Sequence, residues 1–252
     1  TVTFGAVKPG LLVAPGRLHS GAVQLVDIGL AFDTDPVAVV LEESDIAGFV
    51  PEPAEDAYKY RRGVVGISAG SRAYPGAALL VTAAARHANV GMTRFLDRDD
   101  GTAPTVVAHF PDIVVDGSPP RDQVRATAWG CGSGFPGDHL DEVTVLAILE
   151  AAVPVVLDAG ALSVVAASEA VRARIAERRA SGLVTVLTPH EGEFARLAPG
   201  VLESAAGRID AARTAASTLE AVIVLKGPGT VIVDPSGDAL IDTEGTSDLG
   251  VA

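Results

Sequence analysis

The sequence predicts an α/β fold built on a mostly parallel central sheet with helices over both faces. Three observations predict it. From residue 61 onward short apolar runs are continuous rather than alternating, as strands buried on both faces require. Most runs lead, directly or through a loop, into a helix-forming stretch, the pattern of repeated β–α units. Glycine-rich or polar loops follow several of the runs, at the positions where sheets of this class bind ligands.

The elements follow in order. Thr1–Phe4 alternates, Lys8-Pro9-Gly10 is a turn, and Val23–Ile28 reads as a strand ending at Gly29. Two strands without a helix of their own cannot bury a core, so they are expected to belong to a sheet whose other strands lie outside this sequence. Residues 34–60 are acidic and carry Pro51 and Pro53, which reads as a linker. Within it, Ser44–Val50 is expected to be a short helix capped by Ser44.

Val64–Ser68 is the first buried strand, and Pro75 opens a helix to about Ala88, where its missing N–H has no partner to lose. Met92–Leu96, Thr105–His109 and Ala126–Trp129 read as strands. A helix over Asp138–Ala152 precedes the strand Val155–Leu157. The helix Glu169–Ala180, the strand Val184–Leu187, the helices Glu191–Leu197 and Ala205–Leu219, and the strand Val222–Leu225 follow. Thr230–Val233 and Ala239–Ile241 form a hairpin around Pro235-Ser236-Gly237.

Composition excludes several classes of function. With 48% hydrophobic and 20% charged residues in 252, the chain can bury a sizeable core and is not a disordered segment. Nineteen basic against 32 acidic residues give a net charge of −13, and no basic cluster exceeds Arg61-Arg62 or Arg178-Arg179, so nucleic acid is not the expected partner. No apolar run reaches the length of a membrane span. One cysteine, Cys131, excludes an internal disulfide and a cysteine-rich metal site and suits a reducing cytosol. It reads as a small buried hydrophobe rather than a nucleophile.

Five loops at strand ends carry the candidate chemistry. Ser68–Ser71 with Tyr74–Ala78 offers small residues and a helix N-terminus, suited either to an anion or simply to close helix–sheet packing. Gly130-Cys131-Gly132-Ser133-Gly134 departs from the dinucleotide fingerprint because its glycines alternate. Asp158 follows a strand, where it either orients a ligand or caps the next helix. Thr188–Phe194 crowds His190, Glu191 and Glu193 at a strand–helix junction; the carboxylates suit the helix dipole, and His190 is available to a substrate. Lys226, Gly227, Pro228, Gly229 and Thr230 place an ammonium, backbone N–H groups and a hydroxyl where phosphate oxygens could be met. Together the five loops favour a nucleotide site.

In order and content these loops resemble the ADP/ATP-dependent NAD(P)H-hydrate dehydratase family, which has a ribokinase-like, three-layer α/β/α fold. The likeness covers about Tyr58 to Ala252, and its most specific motif is Thr188-Pro189-His190-Glu191-Gly192-Glu193. Residues 1–33 look like the tail of an NAD(P)H-hydrate epimerase domain, which many bacterial proteins carry ahead of the dehydratase. The resemblance implies a division into 1–33, a linker at 34–60 and a dehydratase domain at 61–252. It implies ADP-dependent dehydration of the S epimer of hydrated NADH or NADPH, releasing AMP and phosphate, with magnesium. By carry-over, Ala77, Gly132, Gly134 and His190 contact the hydrate and Lys226–Thr230 the nucleotide. No metal ligand is assignable. The family also implies a cytoplasmic homo-oligomer, commonly a tetramer.

Three departures stand beside the likeness. The family usually shows Asp-Ala-Asp where this chain has Asp158-Ala159-Gly160, and a histidine where Tyr58 precedes Lys59. It continues past the equivalent of Gly250-Val251-Ala252 into a glycine-rich anion hole ending in the aspartate taken as general base. The dehydratase domain is therefore expected to be C-terminally incomplete, with the catalytic residue beyond Ala252. A small-molecule kinase of the same fold and a catalytically dead nucleotide-binding module are the alternative readings. The Thr188–Glu193 motif weighs against the kinase.

Overall fold

The computed structural model describes residues 1–49, 58–88, 90–98, 100–117 and 126–245. In chain order the strands are β1 (Val2–Phe4), β2 (Gln24–Val26), β3 (Val39–Val40), β4 (Val64–Ser68), β5 (Met92–Asp97), β6 (Val114–Gly117), β7 (Ala128–Cys131), β8 (Val155–Leu157), β9 (Thr185–Leu187), β10 (Val222–Leu225), β11 (Thr230–Val233) and β12 (Ala239–Asp242). The helices are α1 (Arg17–Ser20), α2 (Glu43–Phe49), α3 (Pro75–His87), α4 (Thr102–His109), α5 (His139–Leu149), α6 (Gly160–Ala167), α7 (Glu169–Ala180), α8 (Glu191–Leu197), α9 (Val201–Ser204) and α10 (Arg208–Leu219). The chain forms two compact units. One holds Glu52–Pro189 and Leu219–Ala221; the other holds Thr1–Pro51, His190–Thr218 and Val222–Ala252.

The first unit is a parallel sheet in the order β9-β8-β7-β4-β5-β6. Ile67 and Phe95 project from β4 and β5 against Ala78 of α3 and Ala103 and Val106 of α4, all buried. The helices α5, α6 and α7 contribute Val145, Ile148, Leu149, Leu162, Val165, Val171 and Ile175, also buried. Arg178, 1% exposed, ties the edge of this layer together. Its guanidinium donates to the carbonyls of Leu149, Ala151, Val153 and Val184 and to the Thr185 hydroxyl. Burial lowers its pKa from the usual arginine value.

The second unit carries the antiparallel strands β10, β11 and β12, with β3 parallel to β12. Ile223, Leu225, Val231, Val233 and Ile241 are buried, as are Ala211, Ala212, Ala215 and Ala216 of α10. Its N-terminal part holds β1 and β2 as a separate parallel pair. Residues 9–17 lie against the loop after β10 and the end of β12: Ala14 N–H donates to the Pro228 carbonyl at 3.0 Å, and Arg17 donates to the Thr243 carbonyl at 2.5 Å.

Several expectations are corrected. Thr105–His109 is helical, not a strand. Asp100 Oδ1 accepts from the N–H and hydroxyl of Thr102, starting α4, and Ala103 and Val106 turn into the core at helical spacing. Tertiary burial overrides the strand preference of Val106-Val107. The strand of this region is β6. The α6 helix stands where the reading had only a loop, since a helix apolar all round gives no amphipathic signal. The strand expected at Ala126–Trp129 lies two residues later, at Ala128–Cys131. Ser44 sits inside α2 rather than capping it, and Glu42 N–H is met by Asp45 Oδ2. Val39–Val40, within the stretch read as a linker, is a strand; Pro51 and Pro53 lie outside the described residues. Among the described residues no helix is long and apolar enough to cross a membrane.

Candidate functional site

In the first unit the parallel strands bring four loops to their carboxyl ends. Ser68–Ser71 follows β4 and Gly132–Gly137 follows β7; Asp158-Ala159 follows β8 and Thr188-Pro189 follows β9. The first two loops are stitched together: Gly70 N–H donates to the Ser133 carbonyl at 2.7 Å, and Gly132 N–H to the Ser68 carbonyl at 3.2 Å. Their glycines are required by closeness. A methyl on Gly134 (φ +76°) would fall 2.7 Å from Ala77 Cβ, and one on Gly132 (φ +117°) 2.5 Å from Ala161 Cβ. Gly132 is buried, while Ala77, Ser133 and Gly134 are half-exposed. The close-packing account of these small residues therefore holds, and it leaves Ala77 and Gly134 as an accessible backbone platform.

Beside the platform stands a carboxylate with fixed orientation. Asp158 Oδ1 accepts from Thr188 Oγ1 at 2.8 Å and Oδ2 from Ser133 Oγ at 3.2 Å. Both hydroxyls donate to it, which leaves their own oxygens able to accept. The next residue, Ala159, has φ +49°, a strained conformation for alanine, and the Gly160 N–H returns to the Gly132 carbonyl. Cys131 lies beneath, 5% exposed, its thiol pushed up to about 12 by burial. It is packed as a small buried hydrophobe, as its sequence context implies.

In the second unit His190 caps α8. Its Nδ1 accepts from Gly192 N–H at 3.0 Å and Glu193 N–H at 3.4 Å, while Glu193 Oε2 returns to His190 N–H at 2.9 Å. An Nδ1 used as acceptor leaves the proton to Nε2, which lies 3.6 Å from Glu193 Oε2, and the ring itself is exposed. The Lys226–Thr230 loop is braced by Arg208 at the start of α10. That guanidinium pairs with Glu191 and donates to the Lys226 carbonyl at 3.1 Å. Gly227 is exposed beside it, and Gly229 (φ +70°) is pressed under Leu12, whose carbonyl carbon a methyl would meet at 2.9 Å. Thr230 Oγ1 donates to the Gly227 carbonyl at 3.3 Å.

The structure thus brings Ala77, Gly132 and Gly134 into one cluster and the five residues Lys226–Thr230 into one braced loop. Sequence reasoning missed Arg98 and Asp141, which underlie the platform, and Arg208. The described residues contain no group of three His, Cys, Asp or Glu side chains that could hold a metal ion.

Comparison with known proteins bears on this arrangement. A family model described as NAD(P)H-hydrate dehydratase matches residues 65–252. The chain is 39% identical to the bifunctional NAD(P)H-hydrate repair enzyme of Mycobacterium leprae and 40% identical to that of Mycobacterium tuberculosis H37Rv. Each match covers 98% of this chain and 49% of the relative, so the chain spans about half the length of the curated relatives it matches. The crystal structure of an ADP/ATP-dependent NAD(P)H-hydrate dehydratase from Bacillus subtilis, co-crystallised with ATP and Mg2+, superposes with a TM-score of 0.70 at 28% identity. That match covers 84% of this chain and 75% of the other. A ribokinase-like superfamily protein from Enterococcus faecalis superposes with a TM-score of 0.67 at 20% identity, over 87% and 75%, which shows the fold.

Proposed function

The chain belongs to the NAD(P)H-hydrate dehydratase family, and from that premise we propose that it restores NADH or NADPH from the S epimer of the hydrate, converting ADP to AMP and phosphate. The observation that carries the reading is the Ala77–Gly134 platform, half-exposed within the matched region beside the Asp158–Thr188 pair. In this account the hydrate rests on that backbone, which a ring can approach because the residues are small. Thr188 and Ser133, oriented by Asp158, accept hydrogen bonds from it. The family resemblance also gives His190 a contact with the hydrate.

Lys226 and the loop to Thr230 meet the nucleotide phosphates, with Arg208 holding the loop in place. Magnesium accompanies the nucleotide, as in the Bacillus subtilis crystals. The described residues supply positioning and phosphate binding.

Residues 1–33 are read as the tail of an epimerase domain. The exposed apolar residues Val2, Phe4, Leu25 and Ile28 on and beside the β1–β2 pair, and the bifunctional names of the relatives, support this. A cytoplasmic homo-oligomer, tetrameric as is common in the family, belongs to the same proposal. Phosphorus NMR of the intact protein turning over the S hydrate with ADP is the test. AMP and inorganic phosphate in equal amounts are expected; a lasting phosphorylated product would mark a kinase instead.

A further inference from the structure

We propose that Arg98 is a positioning residue for hydrate binding, its buried guanidinium setting the backbone of both glycine loops. The proposal rests on the reading of Ala77, Gly132 and Gly134 as hydrate contacts. Arg98 directly follows β5, and its side chain is 3% exposed. One Nη2 reaches two acceptors, the Gly70 carbonyl at 2.6 Å and Asp100 Oδ2 at 2.8 Å. Nη1 pairs with Asp141, itself fully buried. The other oxygen of Asp141 accepts from Gly137 N–H at 2.5 Å and Asp138 N–H at 3.1 Å. The Phe135 ring lies against the guanidinium, 3.8 Å from centroid to carbon.

A single cation therefore grips the first loop at Gly70, the middle of the second at Phe135 and, through Asp141, its far end. Between these grips lies the Gly70–Ser133 hydrogen bond, which sets how closely Gly134 meets Ala77. Removing the arginine would leave Asp141 buried and uncompensated, and it would free a loop that only Gly can form at this distance. A planar fork is needed, because the acceptors diverge from one another in a way a single ammonium cannot match.

The test measures KM and kcat for the S hydrate, KM for ADP and the thermal midpoint. It uses the intact protein and its Arg98→Met, Arg98→Lys and Asp141→Asn variants, with Ala77→Val and His190→Ala as reference. Arg98→Met and Asp141→Asn are expected to raise the hydrate KM about tenfold, with the ADP KM unchanged, as a shifted platform should. Arg98→Lys should recover part of that loss. An unchanged hydrate KM in folded Arg98 variants overturns the proposal, as does an equal loss toward ADP, or failure of all three variants to fold, which would make Arg98 a core residue only. If Ala77→Val and His190→Ala raise the hydrate KM while the Arg98 variants do not, positioning alone fails. If none of them does, the underlying hydrate site fails too.

Discussion

Gly160 and Phe135 occupy space that cannot be shared: a methyl on Gly160 would collide with the Phe135 carbonyl and fall 2.5 Å from Phe135 Cβ. This accounts for the missing second carboxylate of the Asp-Ala-Asp pattern, since no side chain fits at residue 160 while Phe135 lies there. Helix propensity favours alanine over glycine at the start of α6 by up to about 1 kcal/mol, but the obstacle is backbone and cannot swing away. Gly160→Ala is therefore expected to destabilise the protein by about 1–3 kcal/mol, read as a lower urea midpoint at unchanged slope. A raised midpoint would show that Phe135 yields.

Lys226→Ala is expected to weaken ADP binding by about 1–3 kcal/mol, the range for a lost charge-assisted hydrogen bond. Calorimetric titration of the intact protein with ADP measures it. An unchanged Kd would place the phosphates away from this loop.

Cys131 gives a pH prediction with a definite sign. Its folded pKa of about 12 lies above the ordinary 9.0, so folding favours the thiol. The stabilisation is fully present below pH 9 and is lost as pH rises toward 12. At pH 8 the folded protein should hold about a thousandfold less thiolate than a free cysteine. Labelling by a thiol reagent should be correspondingly slow until denaturant is added. Fast labelling of the native protein would contradict the burial.

His190→Ala is expected to raise the hydrate KM more than it lowers kcat, because the proposed contact is one that ground state and transition state would use alike. The same change removes the cap of α8, costing about 1 kcal/mol of stability. Steady-state kinetics with the S hydrate separates the two. A large fall in kcat at constant KM would make His190 catalytic.

What the sequence revealed follows from the range of the interactions involved. The helices Glu169–Ala180 and Glu191–Leu197 fall where they were read, because local groups start them: Ser168 accepts from Val171 N–H, and His190 closes a box with Glu193. The strand Val222–Leu225 was legible as a continuous apolar run. The helix α4 was not, since its start depends on Asp100 and its burial on contacts across the sheet. At the site, small residues announced the close approach of Ala77 and Gly134. Arg98 with Asp141, 43 residues apart, and Arg208 with Glu191, 17 apart, left no local signal, because such pairs exist only once the fold has formed.

The most direct measurement is recovery of absorbance at the reduced-nicotinamide band when the intact protein meets the S hydrate. The account predicts recovery that requires added nucleotide, is sustained by ADP and is weakened by Lys226→Ala. Recovery that proceeds equally well without nucleotide, or none with nucleotide present, would contradict it.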